Sequence, residues 1–166
     1  MPLYKSFGAI FTDIEGPVTE DRVYWTELCK RAGPGVYDFM AQQVTQWKKG
    51  EIPYSELYLS VVRMVKESGI APYDARQVAL SVPYTERACE FLRAARKAFS
   101  GRLGAVSAGA DALVQRIVAE HQIGYHVSNP LLYYLGNGGA PVCLVDDTNK
   151  GYHLVNLCGR IGVDPH

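Results

Sequence analysis

Apolar positions in this chain fall in two rhythms: short unbroken runs, and longer stretches where they return every three or four residues. The runs read as strands buried on both faces, the periodic stretches as helices with one apolar face. Residues 8–12 (GAIFT) form the first run and stop at Asp13. Residues 103–106 form the second and stop at Ser107, and residues 125–127 predict a third strand. Between the first two runs the spacing predicts only helices. One covers 20–32, with Val23, Trp25, Leu28 and Cys29 on one face and Gly33-Pro34-Gly35 ending it; another covers 36–49. Ser55 is placed to cap a third, carrying Leu57, Val61, Met64 and Val65, and a shorter helix is predicted over 73–80. Thr85 is placed to cap the next, striped by Ala88, Phe91, Leu92 and Ala95, and a helix over 111–122 follows the second run. Residues 131–135 and 141–145 flank Gly136-Asn137-Gly138-Gly139, which predicts a hairpin, and a helix over 150–159 closes the pattern.

That order predicts an α/β fold, a Rossmann-like and mostly parallel sheet interrupted by an all-helical insertion. The expected division is a core of residues 1–19 and 84–166 with a helical cap over 20–83. The 166 residues suffice for one hydrophobic core. Seventeen basic residues balance seventeen acidic ones, so no net field draws the chain to nucleic acid or an anionic membrane, and an anionic ligand would need a local site. The first six residues lack the apolar run of a signal peptide, and no stretch is long enough to span a membrane. Cys29, Cys89, Cys143 and Cys158 are widely spaced and read as thiols of a reducing compartment, which places the protein in the cytoplasm. The four histidines show no ligand-like spacing.

Candidate chemistry gathers at the strand ends. A carboxylate directly after a buried strand sits at the carboxyl edge of the sheet, where open α/β folds bind ligands. Asp13 is there; Ile14 points away and Glu15 returns, so two carboxyl groups face one cleft, and Gly16-Pro17 turns the chain. One carboxylate could attack phosphorus while the other moves protons; the same pair could equally cap a turn. Ser107 with Ala108-Gly109-Ala110 could offer a hydroxyl and backbone N–H groups to a phosphate at the next helix start, or could be a plain strand-to-helix turn. Lys150, after Asn149, stands at a helix N-terminus, where the dipole disfavours a cation; a bound anion or a carboxylate across the cleft explains it, as does a solvated surface position. Asp146-Asp147 reads either as a metal-binding strand end or as a polar exit from the hairpin.

Strand-Asp-x-Glu-Gly, strand-Ser-x-Gly and a late Asn-Lys-Gly, in this order, resemble the haloacid dehalogenase (HAD) superfamily of phosphatases, most closely its phosphoserine phosphatase-like subfamily. Residues 105–114 resemble the second motif, Ser128-Asn129 the following segment and Asn149-Lys150-Gly151 the third, and the helical block has the place and length of that subfamily's cap. The resemblance implies Mg²⁺-dependent hydrolysis of a small phosphorylated metabolite through an aspartyl-phosphate. Asp13 would be nucleophile and Mg²⁺ ligand. Glu15 would be general acid/base, with its backbone carbonyl on the metal. Ser107, Gly16, Ala108, Gly109 and Asn149 would bind the phosphoryl group, and Lys150 would balance its charge. The family usually has Asp in place of Glu15 and Thr in place of Pro17; Asp-Ile-Glu-Gly is seen in enolase-phosphatase relatives, which gives a second activity to consider. The family also places an acidic strand after the Lys-bearing helix, whereas this sequence stops at 161–166 (IGVDPH). Either the chain is a truncated form, or Asp146 and Asp147 substitute although the family's acidic motif follows the Lys, or a homodimeric or complementing chain supplies the strand. The expectation is weak or no hydrolase activity unless it is complemented. A non-catalytic binding or assembly role is the third reading. Substrate choice would fall to Glu20, Arg22, Trp25, Tyr58 and Arg63.

Overall fold

A computed structural model describes residues 7–99 and 101–165. The leader-type reading of residues 1–6 and the reading of His166 lie outside them.

Three parallel strands, β1 (Ile10–Thr12), β2 (Leu103–Ala110) and β3 (Tyr125–Asn129), stand in the order β1-β2-β3. Every residue of β2 is buried, as a central strand covered on both faces requires. Alternate residues of the sheet feed two cores. Leu103 and Ala105 join the large cluster that contains helix α6 (Asp111–His121), whereas Val106 and Ala108 join a smaller one with Val145 and Leu157 under helix α8 (Lys150–Ile161). One helix therefore packs on each face of the sheet.

The segment between β1 and β2 is entirely helical: α1 (Val23–Ala32), α2 (Pro34–Lys48), α3 (Tyr54–Glu67), α4 (Pro72–Ser81) and α5 (Ala88–Ala98). Helices α1 to α3 pack on one another, and α4 docks on α6, so the helical block shares the large core instead of standing apart. Pro34 and Pro72 each occupy a first helical turn, where a missing N–H costs nothing.

Four details correct the sequence reading. Pro53, not Ser55, precedes α3. Arg87, in the left-handed region at φ 63°, precedes α5. Thr85 is not its cap and donates its hydroxyl to the carbonyl of Pro17, tying the approach to α5 to the turn after β1. Strand β2 does not stop at Ser107 but continues to Ala110, with its register against β3 broken between Val106 and Ala110.

The expected hairpin is the larger correction. Residues 131–137 form helix α7 (Leu131–Asn137), and residues 141–145 are irregular. Leu131, Leu132, Tyr134 and Leu135 are buried together, which is a helical spacing that the Gly-Asn-Gly-Gly signal overshadowed. Asn129 supplies what a ladder would have supplied. Fully buried, its amide donates to the carbonyls of Ala108 (2.7 Å) and Val145 (2.9 Å), and its oxygen accepts from the N–H groups of Leu144 (2.6 Å) and Val145 (2.8 Å).

Candidate active site

Strand register explains why distant residues meet. Ile10, Phe11 and Thr12 pair with Leu103, Gly104 and Ala105. One further step brings Asp13 level with Val106 and places Ser107 at the same carboxyl edge. Ile14, fully buried, turns into the core while Asp13 and Glu15 line the same pocket. Gly16, at φ 98°, makes the turn in a conformation L side chains rarely adopt. The Gly16 N–H binds the Thr19 carbonyl (2.8 Å), closing the loop.

Asp13 is held from two sides. Its Oδ1 accepts from the N–H of Ile14 (2.7 Å), and its Oδ2 accepts from Lys150 Nζ (2.5 Å). The ammonium that the helix dipole disfavours at the head of α8 is thus partnered by a carboxylate 137 residues away.

Glu15 is in a different electrostatic position. Its Oε1 is buried without a hydrogen-bond partner among the described residues. Burial, followed by the negative charges of Asp21 and Asp13, raises its pKa from 4.5 to about 8, against the opposing pull of Arg22 and Lys150. Two carboxyl groups two residues apart therefore stand in unlike surroundings: burial favours the protonated form of Glu15, while Asp13 forms an ion pair with Lys150. That division is what acid and nucleophile roles require.

Ser107 and Gly109 form the floor. Ser107 is fully buried, and its Oγ accepts from the N–H of Gly109 (3.2 Å). A Cβ on Gly109 would run into the Glu15 carboxylate, so the close approach of this end of β2 to Glu15 depends on glycine. Ala108 lies between Ser107 and Gly109, and its carbonyl accepts from the Tyr54 hydroxyl (2.7 Å), anchoring the start of α3 over the sheet edge.

Asp13, Glu15, Ser107, Ala108, Gly109, Asp147 and Lys150 line one pocket of about 220 Å³; Gly16, Asn149 and Asp146 do not. The last two hold the head of α8 instead. Asp146 Oδ1 accepts from the Thr148 hydroxyl (2.7 Å) and the N–H groups of Thr148 (2.8 Å) and Asn149 (3.1 Å), while Asn149 binds the Asp146 N–H (2.9 Å) and the Leu144 carbonyl (3.0 Å). Of the specificity candidates, Arg22, Trp25 and Tyr58 line the pocket and Glu20 and Arg63 do not. The sequence reading missed Asp21, in the turn before α1, and Trp47 and Tyr54, which reach the pocket because α2 and α3 fold over the sheet edge. Among the described residues no three His, Cys, Asp or Glu side chains are grouped to hold a metal ion; the pocket offers the carboxylates of Asp13 and Asp147 beside the buried Glu15.

No protein-family model matches this chain, and no curated protein matches it. Solved structures do. A HAD family hydrolase from Salmonella enterica subsp. enterica serovar Typhi superposes with a TM-score of 0.72 at 18% identity, over 96% of this chain and 55% of that one. A substrate-bound phosphoserine phosphatase gives 0.73 at 17% identity, over 95% and 73%. A phospho-aspartyl intermediate analogue of phosphoserine phosphatase gives 0.68 at 19%, over 93% and 71%. This chain thus spans between about half and three quarters of their lengths, and it adopts the HAD-like α/β fold.

Proposed function

We propose that the chain is a HAD-type phosphatase that hydrolyses a small phosphomonoester through an aspartyl-phosphate on Asp13. The observation that carries this is the joining, in one pocket, of an Asp13–Lys150 ion pair and a buried, protonated Glu15. In the first step an Asp13 carboxylate oxygen attacks phosphorus, the ester P–O bond breaks, and Glu15 gives its proton to the departing alcohol oxygen. In the second, Glu15 takes a proton from water, the water oxygen attacks phosphorus, and the acyl-phosphate bond breaks to release inorganic phosphate and free Asp13. Ser107 and the N–H groups around Gly109 would receive phosphoryl oxygens, and Lys150 would balance the charge that gathers on them. Phosphate sites commonly hold Mg²⁺ through only one or two carboxylates plus the substrate, and Asp13, the Glu15 carbonyl and Asp147 would be the groups to hold it here. The bound ion would supply the positive charge that lets an anionic nucleophile approach an anionic phosphate. Helices α1 to α4, residues 20–83, would serve as the cap over a core of residues 1–19 and 84–166. The four free thiols support a reducing compartment such as the cytoplasm.

A second reading, a HAD-like binding protein without turnover, is favoured by one observation: both Asp13 carboxylate oxygens are already engaged, one by the Ile14 N–H and the other by Lys150. Turnover of 4-nitrophenyl phosphate with Mg²⁺, measured on this chain and on Asp13→Asn, separates the two. Asp13-dependent release of phosphate supports the enzyme. Mg²⁺-linked stabilisation by phosphate without turnover supports the binding protein.

A further inference from the structure

The pocket has two unlike ends. Its floor carries the polar groups just described; its upper wall is made by α1, α2 and α3 and is aromatic. Trp25, Tyr58, Tyr54 and Trp47 form a continuous arc, with successive ring centroids 5.6, 6.4 and 5.8 Å apart. The Tyr54 hydroxyl is engaged by the Ala108 carbonyl, so this residue presents its ring to the space above the floor. Met40, Val44, Leu57 and Val61 line the pocket beside these rings. Arg22 closes the arc: its guanidinium lies 5.5 Å from the Trp47 ring centre and 3.3 Å from the Asp21 carboxylate. The two upper charges therefore neutralise each other at the rim and do not stand ready as a clamp for a zwitterion.

We propose, resting on the phosphatase reading, that the alcohol released by this site is an aromatic one: the substrate class is a single-ring aryl phosphate, not an amino-acid or polyol phosphate. A ring standing on the floor through its phosphoryl group would meet edges and faces of four aromatic side chains, the geometry in which aromatic pairs gain most beyond area burial. The cavity, at about 220 Å³, lies below the usual range for drug-sized ligands, which sets the limit at one ring. A phosphoserine-like leaving group would instead bring a carboxylate against these rings, where the nearest guanidinium, Arg22, is already paired with Asp21.

The test is equilibrium binding by calorimetry to the full chain carrying Asp13→Asn, with Mg²⁺ present, using phenyl phosphate, O-phosphoserine and inorganic phosphate. Phenyl phosphate should bind about tenfold more tightly than O-phosphoserine, and Trp47→Leu, which keeps apolar bulk but removes the ring, should erase most of that preference. Circular dichroism and a thermal melt on the Trp47→Leu chain establish that it is folded; Trp25→Leu is the replacement if it is not. O-phosphoserine binding as tightly as phenyl phosphate, or more tightly, overturns the aryl assignment and leaves the phosphatase reading standing. So does a preference that survives loss of the ring. Failure of all three probes, inorganic phosphate included, removes the phosphate site itself and the aryl assignment with it.

Discussion

Replacing Glu15 by glutamine tests the electrostatics of the site without touching its shape. The wild-type carboxyl has a pKa of about 8 in the folded chain against 4.5 when unfolded, chiefly because it is buried. The folded protein therefore holds a proton, between those two values, that the unfolded chain has already released. Glu15 contributes its full stability below pH 4.5; that contribution falls as pH rises and is gone once pH passes about 8. A shift of this size corresponds to a ceiling of about 5 kcal/mol, at about 1.4 kcal/mol per pH unit. A glutamine side chain keeps the volume and never ionises, so the Glu15→Gln variant should match wild type near pH 4 and exceed it by up to that amount near pH 9. Urea denaturation of the metal-free chains in EDTA, read every half unit from about pH 4 to 9, measures the difference directly. Two curves that run parallel across the window would refute the reasoning, because they would show that Glu15 ionises in the folded chain as easily as in water. The same variant should lose about 10²- to 10⁴-fold in turnover of an alkyl phosphate, whose leaving oxygen needs a proton.

Other substitutions separate structure from chemistry. Lys150→Met removes the partner of Asp13; because that pair is partly exposed, stability should change by less than about 1 kcal/mol, while kcat should fall by about 10²-fold or more. Gly109→Ala puts a methyl group into the space of the Glu15 carboxylate, and should cost about 1–3 kcal/mol by urea titration and displace the alkaline limb of the rate profile. Asn129→Ala removes four hydrogen bonds to the backbone and leaves the N–H groups of Leu144 and Val145 without that partner; it should cost about 3 kcal/mol, read as a fall in Tm, with the segment at 144–145 losing its attachment to β3.

Much of this arrangement was legible in the sequence because local signals agreed with one another. Each strand began close to where its apolar run began, and of the readings open for Lys150 at a helix N-terminus the fold supplies the carboxylate across the cleft, Asp13. What was not legible came from contacts between remote segments. The Gly136-Asn137-Gly138-Gly139 signal is a genuine local preference, but Asn129 takes over the backbone groups of residues 144 and 145, and the leucines of α7 gain more by helical burial in the core. Asp146 reads as a metal-binding strand end or a polar hairpin exit until the Thr148 hydroxyl and two N–H groups are seen to occupy its Oδ1 at the head of α8. The aromatic wall depended on how α2 and α3 lean over the sheet, which no spacing encodes. The raised pKa of Glu15 likewise follows from burial, a property of the folded chain and not of the Asp-Ile-Glu-Gly string.

Asp13 must be the group that accepts phosphorus if the rest of the chemistry is to hold. Mixing this chain with Mg²⁺ and ³²P-labelled phenyl phosphate, quenching in acid within the first turnover and mapping the label by peptide tests that directly. Acid-stable, hydroxylamine-labile label on the peptide bearing Asp13, absent from Asp13→Asn, is the expected result. Phosphate released at full rate by the Asp13→Asn chain, or label carried on a different residue, would contradict it.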